Sequence, residues 1–211
     1  MNSYSLVIPM SASIQTKCTN DPNYSEGLIN RQNVWWKKLF GVQIPYRRNI
    51  RRLQPGFVLD VGCGIGRNLL HLDGNGVGVD HNEKSVEICK QRGLTAFTVE
   101  EFLKSEYNVV QRFDSILLAH VAEHMTEEEF ANLLQMYIPL LKDNGRIIVI
   151  TPQENGFKSD NTHIQFMDFN LVKKILTRKG LHMVKQYSFP FPRIAGHFFR
   201  YNEFVSIASR K

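Results

Sequence analysis

Val58-Leu59-Asp60-Val61-Gly62-Cys63-Gly64-Ile65-Gly66 constrains this chain more than any other stretch. A short apolar run carrying one acid passes directly into a turn with glycine at every second position. Such a turn needs residues that accept positive φ and let a ligand approach the backbone closely, which glycine does without strain. Arg67-Asn68-Leu69-Leu70-His71-Leu72 follows with helical spacing. The turn therefore opens onto a helix whose first N–H groups favour a carboxylate or a phosphate. A second apolar run, Val77–Asp80, ends in an acid twenty positions after Asp60. A carboxylate there can accept hydrogen bonds from both hydroxyls of a ribose. Together these features describe a nucleoside-ligand site.

The rest of the chain repeats the same alternation. Strands are predicted over 57–61, 76–80, 96–99, 113–119 and 146–151, with helices between them. The first helix covers about 65–72. The second starts near Asn82 and stops at Gly93, and Thr126 with Glu129 forms a capping box for the next. That helix carries Leu133, Leu134, Tyr137, Leu140 and Leu141 and is followed by a turn at 143–145. The continuously apolar 113–119 run belongs in the centre of a parallel sheet. Asp168 or Asn170 caps a last helix running to Gly180. Two final strands, about 181–188 and 203–208, are compatible with an antiparallel hairpin at the sheet edge. The fold class is α/β, a Rossmann-like doubly wound sheet with helices on both faces.

Ahead of this unit, residues 1–27 are polar and aperiodic, and 28–52 turn helical, with Trp35, Trp36, Leu39 and Phe40 on one face and Pro45 interrupting. We divide the chain into an N-terminal extension, 1–50, whose helical segment is expected to cover the ligand side, and the main α/β domain, 51–211. Hydrophobic content of 43% and charged content of 22% are those of an ordinary globular protein. No apolar run approaches the ~20 residues of a membrane helix, and the N-terminus does not read as a signal peptide. Cys18, Cys63 and Cys89 lack C-x-x-C spacing, which excludes a disulfide scaffold and a zinc ribbon and fits the reducing cytoplasm. Much of the net charge of +6 lies in Arg47, Arg48, Arg51 and Arg52, read as a solvated helix face ahead of a phosphate-contacting patch.

The order acid-x-G-x-G-x-G differs from the G-x-G-x-x-G of dinucleotide folds, which argues against a nicotinamide oxidoreductase. It resembles the first motif of class I S-adenosylmethionine (SAM)-dependent methyltransferases, of the small-molecule, ubiquinone-methyltransferase-like kind. Val77–Asp80, Glu100-Glu101-Phe102, FDSILLAHVAEHM (113–125) and YIPLLKDNGRIIVIT (137–151) match the later motifs in order. The resemblance spans about residues 50–211 and implies seven strands, the last antiparallel.

It also implies roles. Gly62, Cys63, Gly64 and Gly66 would wrap the methionine end of SAM. Asp60 would accept from its amino group, or else cap the loop's own backbone. Asp80, with His81 beside it, would hold the ribose. Glu100 or Glu101, with Phe102, would surround the adenine, and Ala119 and His120 would line the methyl-transfer site. The sulfonium is an activated donor, so the enzyme mainly aligns the acceptor and excludes water. A base serves only a hydroxyl of high pKa, and His120 and His163 are the catalytic candidates. His124 reads as a structural histidine. His120, Glu123, His124 and His163 fit no specific zinc motif, so no metal is expected.

The acceptor site is expected in 151–163 and 189–203, with Gln153, Asp160, His163 and Arg193 as binding residues. The chain lacks the N/D-P-P-Y/F and proline-cysteine elements of DNA methyltransferases, which disfavours nucleic acid. A small molecule, glycan precursor or lipid-like acceptor is the preferred partner. RNA or protein methylation, and a non-catalytic SAM-binding or partner protein on a degenerate methyltransferase fold, stay open. Acceptor identity and oligomeric state are not legible.

Overall fold

The structure, a computed structural model, describes residues 43–210. The expectations for 1–42, including Trp35 and Trp36, lie outside the described residues. Seven strands form one sheet in the order β3-β2-β1-β4-β5-β7-β6. They are β1 Val58–Val61, β2 Gly76–Asp80, β3 Ala96–Thr98, β4 Phe113–Ala119, β5 Leu141–Pro152, β6 His182–Phe189 and β7 Glu203–Ser209. The first five run parallel, and β7 lies antiparallel between β5 and β6. The expected hairpin is therefore present, but only its β6 arm is an edge.

The helices are α1 Gln43–Arg52, α2 Arg67–His71, α3 Glu83–Gln91, α4 Val99–Leu103, α5 Glu127–Tyr137, α6 Glu154–Phe157 and α7 Phe169–Arg178. Asn82, Thr126 and Asp168 are the N-caps the sequence offered. Pro45 is the third residue of α1 as described, a position that tolerates its missing N–H, and residues 28–42 of the expected segment lie outside the described residues. The expected arginine face is solvated, with Arg47 and Arg51 paired to Asp73. Helix α5 is shorter than expected. Pro139 tightens its end into a 3-10 turn, Ile138–Leu140, and Leu141 opens β5. The 143–145 turn is a kink inside β5, with Asn144 at φ 61° and a register shift against β4.

Both faces of the central strands are buried, which explains their continuously apolar sequence. Ile116, Leu118, Ile147 and Val149 face Phe130 and Leu134 of α5 and Val172 and Leu176 of α7. Their neighbours Leu117, Ile148 and Ile150 point the other way, toward Ile50 of α1. Strand β1 adjoins both β2 and β4, so chain direction around the sheet reverses between β1 and β4. In open α/β sheets, ligands bind at the carboxyl ends of the strands at such a switch point.

Candidate functional site

At the end of β1, Gly62, Gly64 and Gly66 have φ of 72°, 52° and 79°. A Cβ at Gly62 would lie 2.4 Å from Val121 Cγ2, and one at Gly66 2.4 Å from Leu94 Cδ1. The loop is pinned from β2: Asp80 Oδ2 accepts from Gly64 N–H at 2.7 Å, and Oδ1 accepts from Asn82 N–H at 2.9 Å. Each oxygen retains a second acceptor site. His81 stands exposed beside Asp80, its Nδ1 3.6 Å away. Cys63 is buried under the loop close to Cys89, and its thiol is pushed well up by that neighbour and by burial.

Asp60 is 1% exposed, and neither carboxylate oxygen has a hydrogen-bond partner. It does not cap the loop's own backbone. Burial raises its pKa to about 7, against the opposing pull of nearby Asn68 and Arg67. Asn68 and Arg67 line a crevice near the carboxyl ends of β4 and β5, with Tyr46 and Asn49 of α1 and with Ala119, His120, Ile150 and Glu203.

His120 holds φ of 61°, a left-handed conformation that costs a non-glycine residue about 1 kcal/mol or more. Its Nδ1–H donates to Glu123 Oε1 at 3.2 Å and its Nε2–H to Glu203 Oε1 at 2.9 Å. Burial alone would lower its pKa, but the hydrogen bonds and charges of the two carboxylates outweigh that and raise it to about 9. An imidazolium with both nitrogens donating has no lone pair for an acceptor proton. The expectation of His120 as a base is corrected to a cationic clamp joining the end of β4 to the start of β7. Glu123 is fully buried at the hub of this corner, and His124 and His163 each bring a ligating atom within 4.8 Å of the others. His124, as expected, is bonded to backbone at Thr162 O, and burial lowers its pKa.

The structure separates other expected residues from the crevice. Phe102 is wholly buried beside Tyr137, so it cannot offer a ring face to an adenine. Glu101 closes a capping box with Thr98 and pairs with Lys90, whereas Glu100 is exposed on the same short helix α4. That capping box, T-V-E-E at 98–101, was the signal for a helix where the sequence reading ended a strand. Gln153 is fully buried, with both amide protons donated to Ser188 Oγ and Glu203 O and its oxygen accepting from Asn202, so it offers nothing to a substrate at the surface. Arg193 forms a forked ion pair with Glu154 and lies over the Phe204 ring. Asp160 accepts from the Thr162 N–H and hydroxyl in a local turn. Glu203 was missed as a buried carboxylate; only its place after the aromatic 198–201 run hinted at a special position.

A reversed-direction α/β sheet with a glycine loop and two acids at its switch point defines a Rossmann-like nucleoside-binding protein. The methyltransferase-domain family profile matches residues 40–204, and the chain belongs to that family. An uncharacterized methyltransferase of Bacillus cytotoxicus is 23% identical over 181 residues, covering 75% of this chain and 84% of that protein. A SAM-dependent methyltransferase of Archaeoglobus fulgidus has the same fold, with a TM-score of 0.63 at 21% identity over 78% of this chain and 93% of that one. Magnesium protoporphyrin IX methyltransferase of Synechocystis, solved with bound S-adenosylhomocysteine, gives a TM-score of 0.65 at 17% identity over 93% and 100%. A Burkholderia thailandensis 1,6-didemethyltoxoflavin-N1-methyltransferase gives 0.63 at 15% identity over 98% and 94%. Among the described residues, no helix is long and apolar enough to cross a membrane.

Proposed function

We propose that this chain is a SAM-dependent methyltransferase that moves a methyl group by in-line displacement to oxygen or nitrogen of a small-molecule, glycan-precursor or lipid-like acceptor. The observation that carries this reading is Asp60, a buried carboxylate with neither oxygen paired, at the foot of a glycine loop held in left-handed backbone at Gly62, Gly64 and Gly66. An unpartnered buried acid calls for a cationic donor, and the amino group of SAM is one.

Asp60 would hold that ammonium, and Arg67, on the crevice wall, the carboxylate. Helix α2 has five residues, so its dipole adds little to Arg67. The free acceptor sites of Asp80 suit the ribose hydroxyls. Once bound, SAM supplies a methyl carbon already activated by its sulfonium. The chain then has to orient the acceptor in line with that carbon and exclude water. The His120 clamp keeps the crevice wall rigid and takes no proton. Tyr46 and Asn49 of α1 support the N-terminal extension as the cover of the site. Arg193 is neutralised by Glu154, while Ile194 and Phe198 are 71% and 81% exposed in the same segment. That balance favours an acceptor with an apolar body over a strongly anionic one.

Calorimetric titration with S-adenosylhomocysteine, with NADH as control, tests the reading. Micromolar binding, weakened tenfold or more by Asp80→Ala and by Asp60→Asn, is the expected result. The second variant leaves the Asp80–Gly64 bond intact. Failure of the intact protein to bind would remove the cofactor assignment. The internal pairing of Gln153 and Arg193 favours one second reading, a SAM-binding partner protein without turnover. That reading predicts tight binding and no transfer from labelled SAM to any acceptor.

A further inference from the structure

We propose that Glu123, His124 and His163 form a binding site for a divalent transition metal of the zinc kind. Glu123 and His124 lie in the 3-10 turn Ala122–His124 that follows β4, and His163 lies in the loop between α6 and α7. One ligating atom of each lies within 4.8 Å of the other two. Ligands of a tetrahedral ion at about 2.1 Å stand roughly 3.4 Å apart, so small side-chain shifts of about 1 Å would close the site.

Hydrogen bonding fixes which ring nitrogens are free to ligate. His163 Nδ1 is 2.7 Å from Phe157 O, and a carbonyl only accepts, so Nδ1 carries the proton and Nε2 a lone pair. His124 Nδ1 is 3.2 Å from Thr162 O and 3.1 Å from Thr162 Oγ1. The Thr162 hydroxyl donates to Asp160 at 2.7 Å, so it too accepts from His124. His124 is left with its lone pair on Nε2. Imidazoles that bind metals characteristically have their second nitrogen donating to a carbonyl in this way. Glu123 is 0% exposed, and its Oε2 has no partner, while Oε1 is taken by His120. Two nitrogen lone pairs thus stand beside a buried carboxylate oxygen that has no partner. A cation resolves that arrangement.

Two imidazoles and one carboxylate suit first-row divalent metals and leave a coordination position open for water or a substrate oxygen. The sequence offered these three with His120 but in no zinc-motif spacing, because two are adjacent and the third is thirty-nine residues on. The site stands on these contacts whether or not SAM is the cofactor.

The test uses the full chain without a tag, stripped with chelator and titrated calorimetrically with Zn2+. One ion per chain is expected, with His163→Ala and His124→Asn each weakening binding at least tenfold. Co2+ should give visible d–d bands that His163→Ala abolishes, without a thiolate charge-transfer band. Circular dichroism and melting confirm that each variant is folded. Affinity equal in wild type and a folded His163→Ala would overturn the proposal, as would a thiolate band lost in Cys63→Ser. S-adenosylhomocysteine titration of the same samples reports separately on the cofactor site and should be unchanged by His163→Ala.

Discussion

The two halves of the sheet finish their polar groups differently. On the side of β1 and β2, Asp60 has both oxygens unpaired and Asp80 has accepting capacity to spare. On the side of β5 and β7, the polar residues of the loops are joined to each other. Gln153 is locked by Ser188, Asn202 and the Glu203 carbonyl, and Arg193 by Glu154. The first region is preorganised for something that arrives from outside. The second is a frame whose polar side chains shape loops, leaving apolar groups such as Phe198 to face outward. Polar residues crowded into a loop therefore do not by themselves mark a binding surface; their remaining hydrogen-bonding capacity does.

Substitutions on either side put that contrast at risk. Gln153→Ala should destabilise the fold by roughly 3 kcal/mol, because it strands several buried partners. Cofactor affinity at low temperature should change less than threefold, and chemical denaturation beside S-adenosylhomocysteine titration would show both. A large loss of affinity with little loss of stability would break the distinction. Gly62→Ala should do the reverse in kind. Left-handed backbone and overlap with Val121 should lower cofactor affinity by about thirtyfold, ~2 kcal/mol, with a smaller drop in melting temperature. Asp80→Ala should cost tenfold or more in affinity, ~1.4 kcal/mol, since it removes the hold on Gly64 and, on the proposed reading, a ribose partner.

The pH dependence of binding sharpens the comparison further. With a pKa of about 7, Asp60 is mostly ionised at pH 8 and mostly protonated at pH 6. Affinity for S-adenosylhomocysteine should fall about tenfold over that interval, and Asp60→Asn should flatten the profile. Stability follows the opposite sense. The folded state holds the Asp60 proton more tightly than the unfolded chain, so stability relative to Asp60→Asn should decline as pH rises from about 4 to 7. Smallest of all, Arg193→Ala should change stability by less than about 1 kcal/mol, because the pair with Glu154 is partly solvated. Urea melts of the two proteins would measure it.

Much of the architecture was legible in the chain. β2 and β4 fall where apolar runs placed them, and Asn82, Thr126 and Asp168 cap their helices as read. These are local effects, decided by side chains within a turn or two. The errors came where a local signal was overlooked, as with the Thr98 box and Pro139, or where the answer depended on distant residues. His120 reads as a base in isolation, but Glu123 and Glu203, the latter eighty-three residues on, take both ring nitrogens and raise its pKa to about 9. Phe102 reads as an adenine platform and is core because Tyr137 covers it.

By itself the sequence determined the alternation of strands and helices, the glycine turn and the acids at 60 and 80. Each of these rests on backbone freedom, periodicity or spacing along one short segment. The tertiary structure alone decided which buried acids remain unsatisfied, both oxygens of Asp60 and Oε2 of Glu123, and that His124 and His163 meet Glu123 behind the clamp. Hydrogen-bond satisfaction is a property of which distant segments meet, and in a buried, low-dielectric site an unpaired acceptor is costly enough to mark where a ligand belongs.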